Sequence, residues 1–169
     1  VQPIHGKGVR VIWLKGETDM LGALEEVESF GEFAKRNNAV ASTDVKSFEH
    51  LVCTEQLSRR LGFKVGEELI RVVRVRSLNG SARQVDHGYF LESIAKGLTP
   101  EIAARSIYDY LEHKRGVKVM ASRRTVSVEL ANDEDCSYLD LGKYNCVAVM
   151  ESQSYTSDGI LFEVTHART

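Results

Sequence analysis

Apolar positions along the 169-residue chain recur with two different periods, and the changes of period mark the elements. VASTDVKSFEHLV (40–52) alternates and predicts a strand. TEQLSRRLG (54–62) predicts a short helix, with Thr54 as its cap, Leu57 and Leu61 on one face, and Gly62 as its stop. EELIRVVRVRSLNGSARQVDHGYFL predicts a hairpin about Asn79-Gly80, a dipeptide that tolerates the positive φ such turns need. LTPEIAARSIYDYLEHKRG (98–116) predicts two helices. Thr99-Pro100 opens the first, and a Ser106/Asp109 capping box opens a second with Ile107, Tyr110 and Leu111 on its buried side.

VKVMASRRTVSVELA (117–131) predicts a long strand, and ANDEDCSYLDLG (131–142) a helix capped by Asn132 or Asp133. The last 25 residues predict a hairpin turning at Ser157-Asp158-Gly159. Upstream, Ser29 with Glu32 forms a capping box for a helix over 29–37, and Gly6-Lys7-Gly8 predicts a hairpin tip followed by an extended strand. The order β-α-β-α-ββ-α-β-α-ββ implies the α+β class: a mostly antiparallel sheet with helices packed on one side.

One strand carries an unusual pair. Arg74 and Arg76 stand two residues apart and so share a face, with Arg71, Val73 and Val75 on the other. They are either two solvated arginines or a fork for phosphate or carboxylate. Ser106 and Ser29 are plain N-caps or, because helix N-termini have unpaired N–H groups, parts of an anion site. Asp86 and Glu163 lie inside strands, where a carboxylate is either wet or engaged, for instance by sugar hydroxyls. A three-residue loop, Leu78-Asn79-Gly80, would pair Val72 with Asp86 and put Asp86 on the arginine face; a two-residue turn would put it on the other. The first is expected.

Composition narrows the classes. With 22 Lys+Arg against 24 Asp+Glu the net charge is −2, which argues against a broad nucleic-acid-binding surface. Cys53, Cys136 and Cys146 are odd in number and lack a CxxC spacing, and the five histidines are scattered. Neither a disulfide framework nor a metal site is expected, and a reducing cytoplasm suits the thiols. No apolar run is long enough to span a membrane and no signal-peptide layout is present. GxSxG, GxGxxG and Walker patterns are absent, so no catalytic residues and no cofactor are expected. A start at Val1 suggests a piece of a longer protein.

ESFGEFAKRNN, STDVKSFEHL, TEQLSRRLGFKVGEELIRVVRVRSLNG, VDHGYF, SIYDYLEHKRGVKV and LFEVTHART together resemble the effector-binding (UTRA) domain of HutC-type GntR-family transcription repressors, over about residues 27–169. QPIHGKGVRV resembles the wing hairpin closing that family's winged helix-turn-helix, so residues 1–15 are expected to be a remnant of the wing and linker. LTPEIAARSIYDYLE, VDHGYF and NDEDCSYLDLGKYNCVAVM are most like the trehalose operon repressors. The resemblance implies a chorismate lyase-like fold, a homodimer, operator DNA read by a domain absent here, and trehalose 6-phosphate as effector. It implies phosphate contacts from Ser29, Phe30, Arg74, Arg76, Ser106 and Tyr108. Asp86, where the family often has Glu, and Glu163 would face sugar hydroxyls. Another sugar phosphate, such as an amino-sugar 6-phosphate, and a chorismate lyase-like enzyme are the alternatives.

Overall fold

The computed structural model describes residues 2–4, 8–10 and 30–169. β1 (Gln2–Ile4) and β2 (Gly8–Arg10) pair antiparallel, as the hairpin expectation requires; the extended strand expected after them lies outside the described residues. α1 (Phe30–Arg36) occupies the expected helix, while its expected cap, Ser29, lies outside the described residues. β3 (Ala41–Val52) leads into α2 (Glu55–Leu61). Thr54 caps α2 by accepting from the Leu57 amide, and Gly62 ends it in the left-handed region at φ 88°. β4 (Glu68–Leu78) and β5 (Ser81–Leu91) form the next hairpin, followed by α3 (Pro100–Ala103) and α4 (Ile107–Arg115). β6 (Val119–Leu130), α5 (Asp133–Tyr138), β7 (Cys146–Thr156) and β8 (Leu161–Arg168) complete the chain.

The main sheet runs β3-β4-β5-β8-β7-β6, with every neighbouring pair antiparallel. The α+β expectation holds, but its placement of the helices does not. α3 and α4 cover one face, where Ala103, Ile107 and Leu111 bury Ile70, Val72 and Phe90. α2 and α5 lie against the other: Arg60 of α2 donates to the Tyr89 hydroxyl, and Leu139 after α5 packs on Val73, Val75 and Val85. Central strands such as β4 are apolar on both faces over part of their length, so both faces need cover.

The register of the β4–β5 hairpin also departs from expectation. Asn79 and Gly80, at φ 51° and 80°, make a two-residue turn that pairs Leu78 with Ser81. Such a turn alone would set Asp86 against Val73. A bulge leaves Arg83 without a partner on β4, so Ser77 pairs with Ala82 but Arg76 with Gln84. Asp140 holds the bulged segment by accepting from the Ala82 amide and the Ser81 hydroxyl, both at 2.9 Å. The consequence is that Asp86 pairs with Arg74, not with Val72. It still reaches the arginine face, by a bulge and not by a longer loop.

Candidate functional site: an arginine-lined pocket on one face of the sheet

A cavity of about 510 Å³ opens on the face that carries Arg74 and Arg76. That size suits a small metabolite. α1 and the α3–α4 junction form its walls; β4, β5, β8, β7 and β6 form its floor. Each strand contributes through simple alternation: Arg74 and Arg76 from β4, Asp86 from β5, Glu163 and Thr165 from β8, Ser152 from β7, and Arg124 from β6.

The arginines are not solvated. Arg74 is 4% exposed, and its partner Asp86 is fully buried. Asp86 Oδ2 accepts from Arg74 Nη2 at 2.5 Å and from Arg76 Nη2 at 2.7 Å, so one carboxylate oxygen serves two guanidiniums. Arg74 Nη1 also donates to the Ala103 carbonyl at 3.5 Å, at the end of α3. The Arg76 guanidinium lies 5.1 Å from the centroid of the Phe30 ring, a cation–π contact that seats α1 against the pocket. Burial alone would push the Asp86 carboxyl up, but the charges and hydrogen bonds of Arg74 and Arg76 outweigh it and hold the group below its ordinary range. Burial, then the adjacent Arg74, lowers Arg76, with Asp86 opposing.

This cluster is under-bonded. Arg74 Nε, Arg76 Nε and Asp86 Oδ1 are buried and have no hydrogen-bond partner among the described residues. Buried polar groups in a folded protein are normally satisfied, and each exception costs on the order of 1–3 kcal/mol. Five arginines (74, 76, 83, 105 and 124) and two carboxylates (Asp86 and Glu163) line the cavity, so its formal charge is positive.

Ser106 stands at the pocket wall as the cap of α4, accepting from the Asp109 amide at 3.1 Å. The amides of Ile107 and Tyr108 open that helix and have no intrahelical acceptor. Tyr108 turns its hydroxyl elsewhere, donating to Glu163 Oε2 and meeting Ser154 Oγ at 3.0 Å. Thr165 donates to the other Glu163 oxygen at 3.0 Å. Burial raises Glu163 above its ordinary range, against the hydrogen bonds from Tyr108 and Ser154 that lower it. Burial and the Glu163 charge raise Tyr108 well above the usual phenol value. Tyr110, expected on the buried side of α4, is only half-buried because its hydroxyl donates to the Lys96 carbonyl. The described residues contain no group of three or more His, Cys, Asp or Glu side chains placed to hold a metal, and no helix among them is long and apolar enough to cross a membrane.

The UTRA domain family matches residues 36–169. This chain belongs to that family. It is 28% identical over 168 residues to the HTH-type transcriptional regulator TreR of Bacillus subtilis strain 168, covering 99% of this chain and 69% of TreR. It is 22% identical to the HTH-type transcriptional repressor NagR of the same organism, covering 98% of this chain and 66% of NagR. The effector-binding domain of the B. subtilis trehalose repressor TreR superposes with a TM-score of 0.67 at 28% identity, over 75% of this chain and 88% of that domain. The family's chorismate lyase-like fold is the one described above, and the relatives are GntR-family regulators.

This UTRA domain therefore brings seven of the eight expected residues, Phe30, Arg74, Arg76, Asp86, Ser106, Tyr108 and Glu163, around one cavity. Ser29 lies outside the described residues. The sequence reading did not single out Ser152, Ser154 or Arg124. A signal existed: Ser152, Ser154 and Thr156 are buried at alternate positions of β7, and small hydroxyls on a buried strand face leave room above them.

Proposed function

We propose that this chain is the effector-sensing domain of a sugar-responsive transcriptional repressor, and that trehalose 6-phosphate fills the pocket and releases operator DNA. The observation that carries the reading is the under-bonded Arg74–Asp86–Arg76 cluster in a cavity of net positive charge. A phosphate dianion offers the acceptors that the two Nε–H groups lack, and it neutralises the arginine charge that one carboxylate leaves over. The Ser106 hydroxyl and the Ile107 and Tyr108 amides extend the same cradle at the start of α4. Phe30 adds a main-chain group from the start of α1, and Ser29, the residue before it in the sequence, is a further phosphate contact in this reading.

The sugar lies toward Glu163 and Asp86, whose Oδ1 accepts from a hydroxyl. Tyr108 contributes its amide and not its phenol, which is engaged with Glu163. The likeness to TreR favours trehalose 6-phosphate over other sugar phosphates. Residues 1–15 carry the β1–β2 hairpin as the wing of a winged helix-turn-helix, and the protein acts in the cytoplasm as a homodimer without enzymatic turnover. Effector binding shifts the dimer toward an arrangement whose DNA-reading heads do not both engage the operator.

An amino-sugar 6-phosphate is the second reading, because the arginines select the phosphate and not the sugar. Thermal melts with trehalose 6-phosphate, free trehalose and glucosamine 6-phosphate at equal concentration separate these. A ligand at 100 times its Kd stabilises by roughly 2.7 kcal/mol, a shift of several degrees. Only trehalose 6-phosphate should give it. A shift with glucosamine 6-phosphate alone replaces the effector, no shift with any of them overturns the sensor reading, and turnover of chorismate would make the domain an enzyme.

A further inference from the structure

A second cavity, also of about 510 Å³, opens on the other face of the sheet, away from Arg74 and Arg76. Its floor is two cross-strand rows. Arg71, Tyr89, Val164, Gln153 and Arg123 stand side by side in the first, across β4, β5, β8, β7 and β6. His87, His166, Glu151 and Thr125 make the second. Arg60 closes the cavity from the end of α2, and Glu134 from α5.

The two rows are satisfied to different degrees. In the second, acids meet bases: Glu134 lies 2.9 Å from His87 Nε2, and Glu151 lies 3.9 Å from His166 Nε2. In the first, donors outnumber acceptors. Tyr89 is 8% exposed; its oxygen accepts from Arg60 Nη2 at 2.8 Å, and the described residues offer its own O–H no acceptor. The Arg60 guanidinium lies 5.6 Å from the Tyr89 ring centroid, so ring and hydroxyl together fix its place. Arg71, directly across the ladder from Tyr89, meets the exposed Glu49 through Nη1 at 3.3 and 3.4 Å, while its Nε–H is buried with no partner among the described residues. Buried donors in a folded protein are normally satisfied.

We propose that Arg60, Tyr89 and Arg71 form a second anion site, which takes a phosphate group, either free or as the ester of a small metabolite. The phosphate oxygens accept from the Arg71 Nε–H, the Arg60 guanidinium and the Tyr89 O–H, the donors that this row leaves open. Glu134 and Glu151 repel an anion from the histidine row and so confine it to the arginine row. Room remains along the floor toward Gln153 and Arg123 for the body of an ester. Arg71 and Arg74 are three residues apart on β4 and face opposite sides of the sheet, and none of the three residues lines the first pocket. The site therefore stands independently of the effector proposed for that pocket.

The test is an NMR titration of the 169-residue chain that follows backbone amides and arginine Nε–H groups. Inorganic phosphate and ribose 5-phosphate are added separately, with sodium chloride at matched ionic strength as the control. Phosphate from either source should move the Arg71 Nε–H and the Arg60 and Tyr89 amides saturably. Equal affinity for the two probes assigns the free ion, and tighter binding of the ester assigns a metabolite. Arg71→Gln should weaken the response at Tyr89 roughly tenfold or more without altering any response at Arg74 and Arg76. Arg60→Gln, at an exposed position where folding is not at stake, should do the same. Shifts on this face no larger than those in chloride overturn the proposal, as does a titration at Tyr89 that neither substitution changes.

Discussion

One sheet carries two buried arginine–aspartate clusters, one on each face, and they are finished to different degrees. On the α5 side Arg168 donates from Nε to both Asp135 oxygens at 3.0 Å and from Nη2 at 2.9 Å. It also donates from Nη1 to Glu129 and from Nη2 to the Leu130 carbonyl. Asp135 additionally closes the capping box with Asn132. No atom of that pair is left over. On the pocket side two arginines share one oxygen of Asp86, and three polar atoms have no partner among the described residues. Both arginine–aspartate pairs are buried, but the first has carboxylate to spare and the second has arginine to spare. What separates a structural ion pair from a binding site is whether its hydrogen bonds close within the protein.

Breaking the satisfied cluster should have the largest effect on stability. Arg168→Ala leaves Asp135 buried without its counter-charge, and urea unfolding should show a loss of about 3–5 kcal/mol. Sugar-phosphate affinity, measured on the fraction that stays folded, should not change. A loss below about 1 kcal/mol would mean that the two clusters are not different in kind.

Arg76→Gln should do the reverse. It relieves the repulsion from Arg74 and keeps the Arg74–Asp86 bond, so stability should move by about 1 kcal/mol or less. Affinity for the phosphorylated sugar should fall by roughly 2–3 kcal/mol, about a hundredfold in Kd.

The pH dependence sharpens the contrast on the carboxylates. Asp86 and Asp135 both have folded pKa values below the ordinary 3.8, so their contributions are present above about pH 4 and are lost as pH falls through the folded values. Asp135→Asn should therefore flatten the acid limb of a stability–pH curve. Glu163 has the opposite sign: its folded pKa is raised above 4.5, so its ionised form costs stability at neutral pH and the cost disappears on acidification. Glu163→Gln keeps an acceptor for Tyr108 and should raise the melting temperature slightly at pH 7, with the gain vanishing near pH 4. A gain that persists at low pH would show that packing and not ionisation is responsible.

Local chemistry was legible in the sequence, and long-range closure was not. Thr54, Thr99, Ser106 and Asn132 cap the helices that the residue pattern assigns to them, because a cap needs only an amide two or three residues away. The Arg74–Arg76 face followed from strand alternation. The bulge at Arg83 did not, since Asp140, 58 residues beyond the Ala82 amide it accepts from, holds it in place. The Arg168–Asp135 pair spans 33 residues and joins the last strand to a helix cap, so nothing near either residue announces it. Glu163 was found as an unusual strand carboxylate, but its ties to Tyr108 and Ser154 depend on α4 and β7 meeting over β8.

The central claim is that the arginine pair reads the phosphate, and calorimetric titration tests it most directly. The wild type and Arg76→Gln would each be titrated with trehalose 6-phosphate and with free trehalose. The account predicts a large preference for the phosphorylated sugar in the wild type, and a preference smaller by about a hundredfold in Arg76→Gln with little change toward free trehalose. Equal losses toward both sugars, or an undiminished preference in the variant, would contradict it.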